Sequence, residues 1–162
     1  MPDDLLWTAA RLAFATVVGG AVGLNRDMRD KPAGVRTHAV VCLSTAAITL
    51  VMVPFGIDEA LRDDALSRVI QGIVTGIGFL GAGVILRNPG THQITGLTTA
   101  ATIWMTALLG VACGLGYYAL VLLTIVFSAC AVFFGGAVEN LFRRMFPPRA
   151  KRGEAPGNER AD

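Results

Sequence analysis

Charge is what this chain has least of. Only 16% of its 162 residues are Asp, Glu, Lys or Arg, and the fifty-one positions from Asn88 to Val138 hold none. Such a composition excludes an ordinary soluble domain of this size. Carboxylates are missing from the apolar stretches: all twelve Asp and Glu lie in connections, at the termini or, like Glu139, at the end of an apolar run. A path for divalent cations usually offers negatively charged oxygen ligands, so this counts against a dedicated magnesium or calcium pore. Cysteine is scarce too. Cys42, Cys113 and Cys130 are odd in number, lack CxxC spacing and sit among apolar neighbours, which reads as small buried side chains and not as a redox or metal site. There is no HExxH, no Walker loop, no nucleophile elbow and no carboxylate pair for acid and base work, so an enzyme is the least supported class and no metal or cofactor is expected. The net charge of +2 is small, and the basic residues flank apolar runs without interleaved aromatics, unlike a nucleic-acid surface.

What is present is apolar length. Hydrophobic residues make up 53% of the chain and the mean hydropathy is +0.56, which predicts one all-α polytopic membrane domain. Arg68 and Arg87 bracket eighteen uncharged residues, roughly 27 Å of helix and close to the hydrocarbon thickness of a bilayer. Gly72, Gly76, Gly78, Gly81 and Gly83 crowd this run, and Gly72 and Gly76 form a GxxxG pair. Glycine at that density predicts a span packed against other helices.

Four further spans are expected: Leu5 to Leu24, Thr37 to Phe55, Leu97 to Ala112 and Tyr117 to Val138, the last two hinged at Gly114-Leu115-Gly116. The acidic start MPDDLLW lacks the basic residues of a secretory signal. Residues 1–142 form the expected transmembrane domain and 143–162 a basic, disordered tail. With the N-terminus outside, the inner side holds eleven cations: Arg26, Arg29, Lys31, Arg36, Arg87, Arg143, Arg144, Arg149, Lys151, Arg152 and Arg160. The outer side keeps Arg11, Arg62 and Arg68. The positive-inside rule therefore predicts a cytoplasmic C-terminus.

Candidate functional residues are polar groups in or beside the spans. Arg26, Arg36, Thr37, His38 and Arg87 fall near the inner face, either as interfacial anchors and caps or as a basic site for an anionic headgroup, a phosphate or an acidic partner. Arg68 and Gln71 open the third span, and Thr98, Thr99 and Thr102 stand in the fourth. These are packing residues or, if a polar cavity exists, its lining. Arg11 either snorkels to the nearer interface or faces the bundle interior and pairs there. His92 reads as a solvated turn residue.

The segments GLNRDMRDKPAGVRTHAVV, SRVIQGIVTGIGFLGAGVILR and GLTTAATIWMTALLGVACGLG, in this order, resemble the membrane domain of the MgtC/SapB family of bacterial inner-membrane proteins, over about residues 5 to 135. The resemblance implies a five-span, multi-pass protein of the cytoplasmic membrane. It also implies a link to growth under magnesium limitation or acid stress and, in some relatives, to virulence through survival inside macrophages. Family members are thought not to carry magnesium themselves but to regulate other membrane proteins, including the F-type ATP synthase. The alternative is an oligomeric ion channel or small-solute transporter, and a homo-oligomer is compatible with either. The family's polar positions fall on Arg26, Arg36, Thr37, Arg68, Gln71, Arg87, Thr98 and Thr99. Asn25 stands where the family usually has a glutamate, which puts an ion pair expected there in question. The turn after Arg87 is a residue or two longer than usual. In place of the soluble C-terminal domain of the virulence-associated members stands a short basic tail, as in the SapB-like branch.

Overall fold

The computed structural model describes residues 2–52, 59–87 and 93–145. The expected tail from 146 onward and His92 lie outside these residues. Five helices follow one another: α1 Pro2–Asp27, α2 Val35–Val51, α3 Glu59–Gly83, α4 Leu97–Leu115 and α5 Tyr118–Met145. Between α3 and α4, strands β1 Leu86–Arg87 and β2 Ile94–Thr95 pair antiparallel, Leu86 with Thr95 and Arg87 with Ile94. Four helices are long and apolar enough to cross a membrane, within Leu5–Asp27, Arg62–Gly83, Leu97–Leu115 and Tyr118–Gly136, and α2 is a shorter apolar helix of 17 residues. Two compact units divide the chain, Met1–Ile125 and Val126–Asp162. The second is described only as the remainder of α5.

Local chemistry sets the helix ends. Pro2 opens α1, where a missing N–H costs nothing. After Asp27 the chain turns through Asp30 and Ala33, both at positive φ, and the Asp27 carboxylate accepts a 3.0 Å bond from the Val35 amide, capping α2. At the far end of α4, Gly116 takes φ +82°, its N–H bonds Cys113 O at 3.1 Å, and Tyr117 N–H bonds Ala112 O at 2.9 Å. That double closure is a Schellman ending, which needs a left-handed residue and so a glycine.

The order of packing differs from the sequence expectation. The glycine-rich α3 span is only 11% buried, whereas 56% of the α4 span is enclosed by α1, α2 and α3. One apolar core joins Ala15, Val18, Cys42, Ala46, Leu109, Cys113 and Val121, and a smaller one joins Ile77 of α3 to Ile103 and Ala107 of α4. The α3 glycines were expected to make the close contacts, and within this chain they do not. A Cβ built on Gly72, Gly76, Gly78 or Gly83 meets nothing within 4 Å, and one on Gly81 meets Ala100 at an ordinary 3.6 Å. The reason is rotational: Ile73 and Ile77 are the α3 side chains turned to the core, and Gly72, Gly76 and Gly83 lie on the exposed face that flanks them. Backbone-close contact belongs to other glycines. A Cβ on Gly23 would lie 2.6 Å from Gly34 O, and one on Gly114 would lie 2.8 Å from Ala46 O.

Boundaries moved as well. The stretch between the spans expected to end at Phe55 and to begin at Arg68 is helical from Glu59, because its acidic run contains no glycine or proline and pairs along the helix, Arg68 to Asp64 at 2.8 Å. The span expected to reach Arg87 ends at Gly83, since Val84 begins the approach to β1.

Candidate functional site

Polar side chains gather on the interior faces of α1, α2 and α4. Arg26, in the last turn of α1, is 4% exposed and donates from Nη2 to the Thr99 hydroxyl in the first turn of α4. His38, fully buried in the first turn of α2, donates from Nδ1 to Gly34 O at 3.0 Å. Arg26 Nε and His38 Nε2 are enclosed without a partner. Both residues stand at the end of the bundle where α1 runs into α2 and α4 begins.

Along the α2 and α4 contact runs a seam of threonines. Thr45, Thr49, Thr102 and Thr106 are buried, and each hydroxyl bonds a carbonyl of its own helix: Thr45 to Val41 O at 3.0 Å, Thr49 to Thr45 O at 2.7 Å, Thr102 to Thr99 O at 2.9 Å and Thr106 to Thr102 O at 2.8 Å. Hydroxyls bound this way are spent on their own backbone. They pack as small residues, and Gly110 and Gly114 fit between them.

At the opposite end Arg11 faces the bundle interior, its Nη1 donating to Gly114 O at 3.0 Å beside the Gly116 turn. A cation on the last carbonyls of α4 satisfies an unpaired acceptor and the negative end of the helix dipole. Of the two readings open for Arg11, pairing inside the bundle is the one found.

The candidates are therefore not one cluster. Arg26, His38 and Thr99 come together. Arg36, Thr37 and Thr98 lie nearby on exposed positions. Arg68 and Gln71 are exposed near the other end of α3, Arg68 paired with Asp64. Gly81, which faces Ala100 of α4, is thirteen positions on from Arg68, so the threonines at the start of α4 lie about 20 Å further along. A shared lining of Arg68, Gln71, Thr98 and Thr99 is corrected by the antiparallel run of α3 and α4. The Arg87 side chain lies outside the described residues. Among the described residues no three His, Cys, Asp or Glu converge on a metal-sized site.

Residues 12–141 match the family described as the MgtC family. The chain belongs to the MgtC family. It is 41% identical over 132 residues to protein SrpB of Synechococcus elongatus, covering 77% of this chain and 72% of that one. It is 38% identical over 140 residues to protein SapB of Bacillus subtilis, covering 82% and 56%. To protein MgtC of Brucella abortus it is 40% identical over 112 residues, covering 69% and 44%. The chain thus spans most of SrpB and about half the length of other curated relatives. No solved structure matches it. Membership of the MgtC family, with four membrane-length apolar helices, makes this a multi-pass bacterial membrane protein of a magnesium-related family, in contact with the lipid bilayer.

Within this MgtC-family chain, sequence reasoning missed Thr45, Thr49, Thr106, Asp27 and the packing role of Gly110 and Gly114. The spacing Gly110-x-x-x-Gly114 carried the signal for this pair, and it has the same form as the GxxxG in α3.

Proposed function

We propose that this MgtC-family protein is a non-enzymatic regulator that acts by docking α3 against helices of other membrane proteins under magnesium limitation or acid stress. The observation supporting this most directly is the outward glycine face of α3. Among the described residues a Cβ on Gly72, Gly76 or Gly83 would meet no neighbour within 4 Å, and Phe79 stands 82% exposed beside them. Glycine weakens a helix and offers lipid little surface, and it gains when a second backbone comes close. The F-type ATP synthase is the partner suggested by the family resemblance, and an inner-membrane orientation with a cytoplasmic C-terminus follows from the distribution of cations. The channel reading has less support, because its candidate lining is divided between two ends and the interior hydroxyls are bound to their own helices.

Site-specific photocrosslinking from Phe79 in native membranes tests the proposal. The wild-type chain is expected to yield an adduct with a different membrane protein. Gly76→Leu is expected to keep expression and thermal stability yet lose the adduct. Recovery of lipid alone, or only of a second copy of this chain, would refute regulation of other proteins through α3.

A further inference from the structure

One buried cation in the first unit, Arg26, has no ion-pair partner among the described residues. A guanidinium carries five N–H donors and no acceptor, and Arg26, 4% exposed, has the Thr99 hydroxyl as its one polar partner among the described residues, while Nε has none. Asp27, next in sequence, is committed to the Val35 amide at 3.0 Å. Thr99 belongs to the first turn of α4, whose N-cap is Gly96 in the left-handed region, with no capping side chain and no acidic residue in that turn. The positive end of a helix dipole and a buried cation thus meet, and among the described residues no carboxylate pairs with Arg26 and none stands in the first turn of α4. The contrast with α2 is direct, because there a carboxylate caps the first turn.

We propose that Arg26 and the first turn of α4 form a binding site for a phosphate-class anion, supplied by an anionic lipid headgroup or as free phosphate. A guanidinium fork and the free N–H groups of a helix N-terminus are the two commonest protein devices for phosphate oxygens. His38, fully buried in the first turn of α2, likewise leaves its Nε2 without a partner among the described residues. This inference is independent of the α3 docking face.

The full chain is purified in zwitterionic detergent and its thermal unfolding compared in inorganic phosphate and in chloride at equal ionic strength. A second arm compares bilayer discs of phosphatidylcholine with and without phosphatidylglycerol. Saturation is expected to raise Tm by about 5 °C. A rise with inorganic phosphate assigns a soluble anion, and a rise confined to phosphatidylglycerol assigns a lipid headgroup. Arg26→Gln is expected to abolish the rise, and Arg36→Gln, at an exposed cation nearby, to keep it. No rise in either arm, a rise that survives in Arg26→Gln, or one lost equally in Arg36→Gln would overturn the site. Should Arg26→Gln fail to fold, Arg26→Lys retains the charge without the fork and is expected to weaken phosphate-class binding about tenfold. Unchanged affinity in that variant would likewise overturn it.

Discussion

Two glycines with the same sequence signature are expected to respond oppositely to one added methyl group. At Gly110 a Cβ would press on the Thr45 hydroxyl and the Cys42 carbonyl, with the Cys42 carbonyl carbon at 3.0 Å. Rotating Thr45 could move its hydroxyl, at the expense of its bonds to Val41 O and Cys42 O at 3.0 and 3.1 Å. It could not move the carbonyl. The α2 and α4 backbones would have to part, loosening the contact that holds Cys42, Ala46 and Cys113 in the main core. Overpacking of this kind costs about 1–3 kcal/mol. In a chain of 162 residues that lowers Tm by about 5 °C. At Gly76 the same methyl meets open space, and Gly76→Ala gains up to about 1 kcal/mol of helix propensity. Thermal unfolding of both variants in detergent gives the comparison. If Gly110→Ala is as stable as Gly76→Ala, or Gly76→Ala is the worse of the two, the assignment of close packing to α4 fails.

Thr99→Val removes the hydroxyl that receives Arg26 Nη2 with little change of shape, and is expected to cost about 1–3 kcal/mol in chemical unfolding. Arg11→Met leaves Gly114 O without its 3.0 Å donor and should lower stability by about 2 kcal/mol, again read by unfolding. Arg68→Ala breaks a 2.8 Å pair whose side chains are 75% and 60% exposed, so a thermal melt should show a loss under about 0.5 kcal/mol.

The existence and class of the helices were legible because long uncharged runs leave few alternatives in a bilayer. Their limits were less so. Charged residues before Ser67 suggested a connection, yet Asp64 and Arg68 one turn apart stabilise a helix there, and hydropathy does not register that pairing. The two-residue strands flanking the turn after Arg87 carry no periodicity that could announce them. The site was legible in its parts. Arg26, His38 and Thr99 could be singled out as polar groups near one face, whereas their separation from Arg68 and Gln71 depends on helix direction, and the pairing of Arg26 with Thr99 depends on which faces of α1 and α4 meet. Arg11 could not be decided from sequence, since snorkelling and interior pairing demand the same residue at the same depth.

The division of glycines between α4 and α3 links fold to proposed function. A span whose glycines are filled by its own chain has its close contacts already made, as in α4, where Gly110 and Gly114 admit α2 and the threonine hydroxyls turn back on their own carbonyls. Nothing in that interior is left over to bind a helix. A span whose glycines point outward has the same capacity unused, and α3 carries Gly72, Gly76 and Gly83 on the exposed face beside Ile73 and Ile77. Larger side chains at those three positions would leave the α3 and α4 contact intact, so the packing of this chain alone does not require glycine there. The requirement, if the α3 proposal holds, comes from a second surface. Gly76→Leu then separates the two roles: a normal Tm with a lost crosslink places the need for glycine in the partner contact, whereas a lowered Tm returns it to the fold.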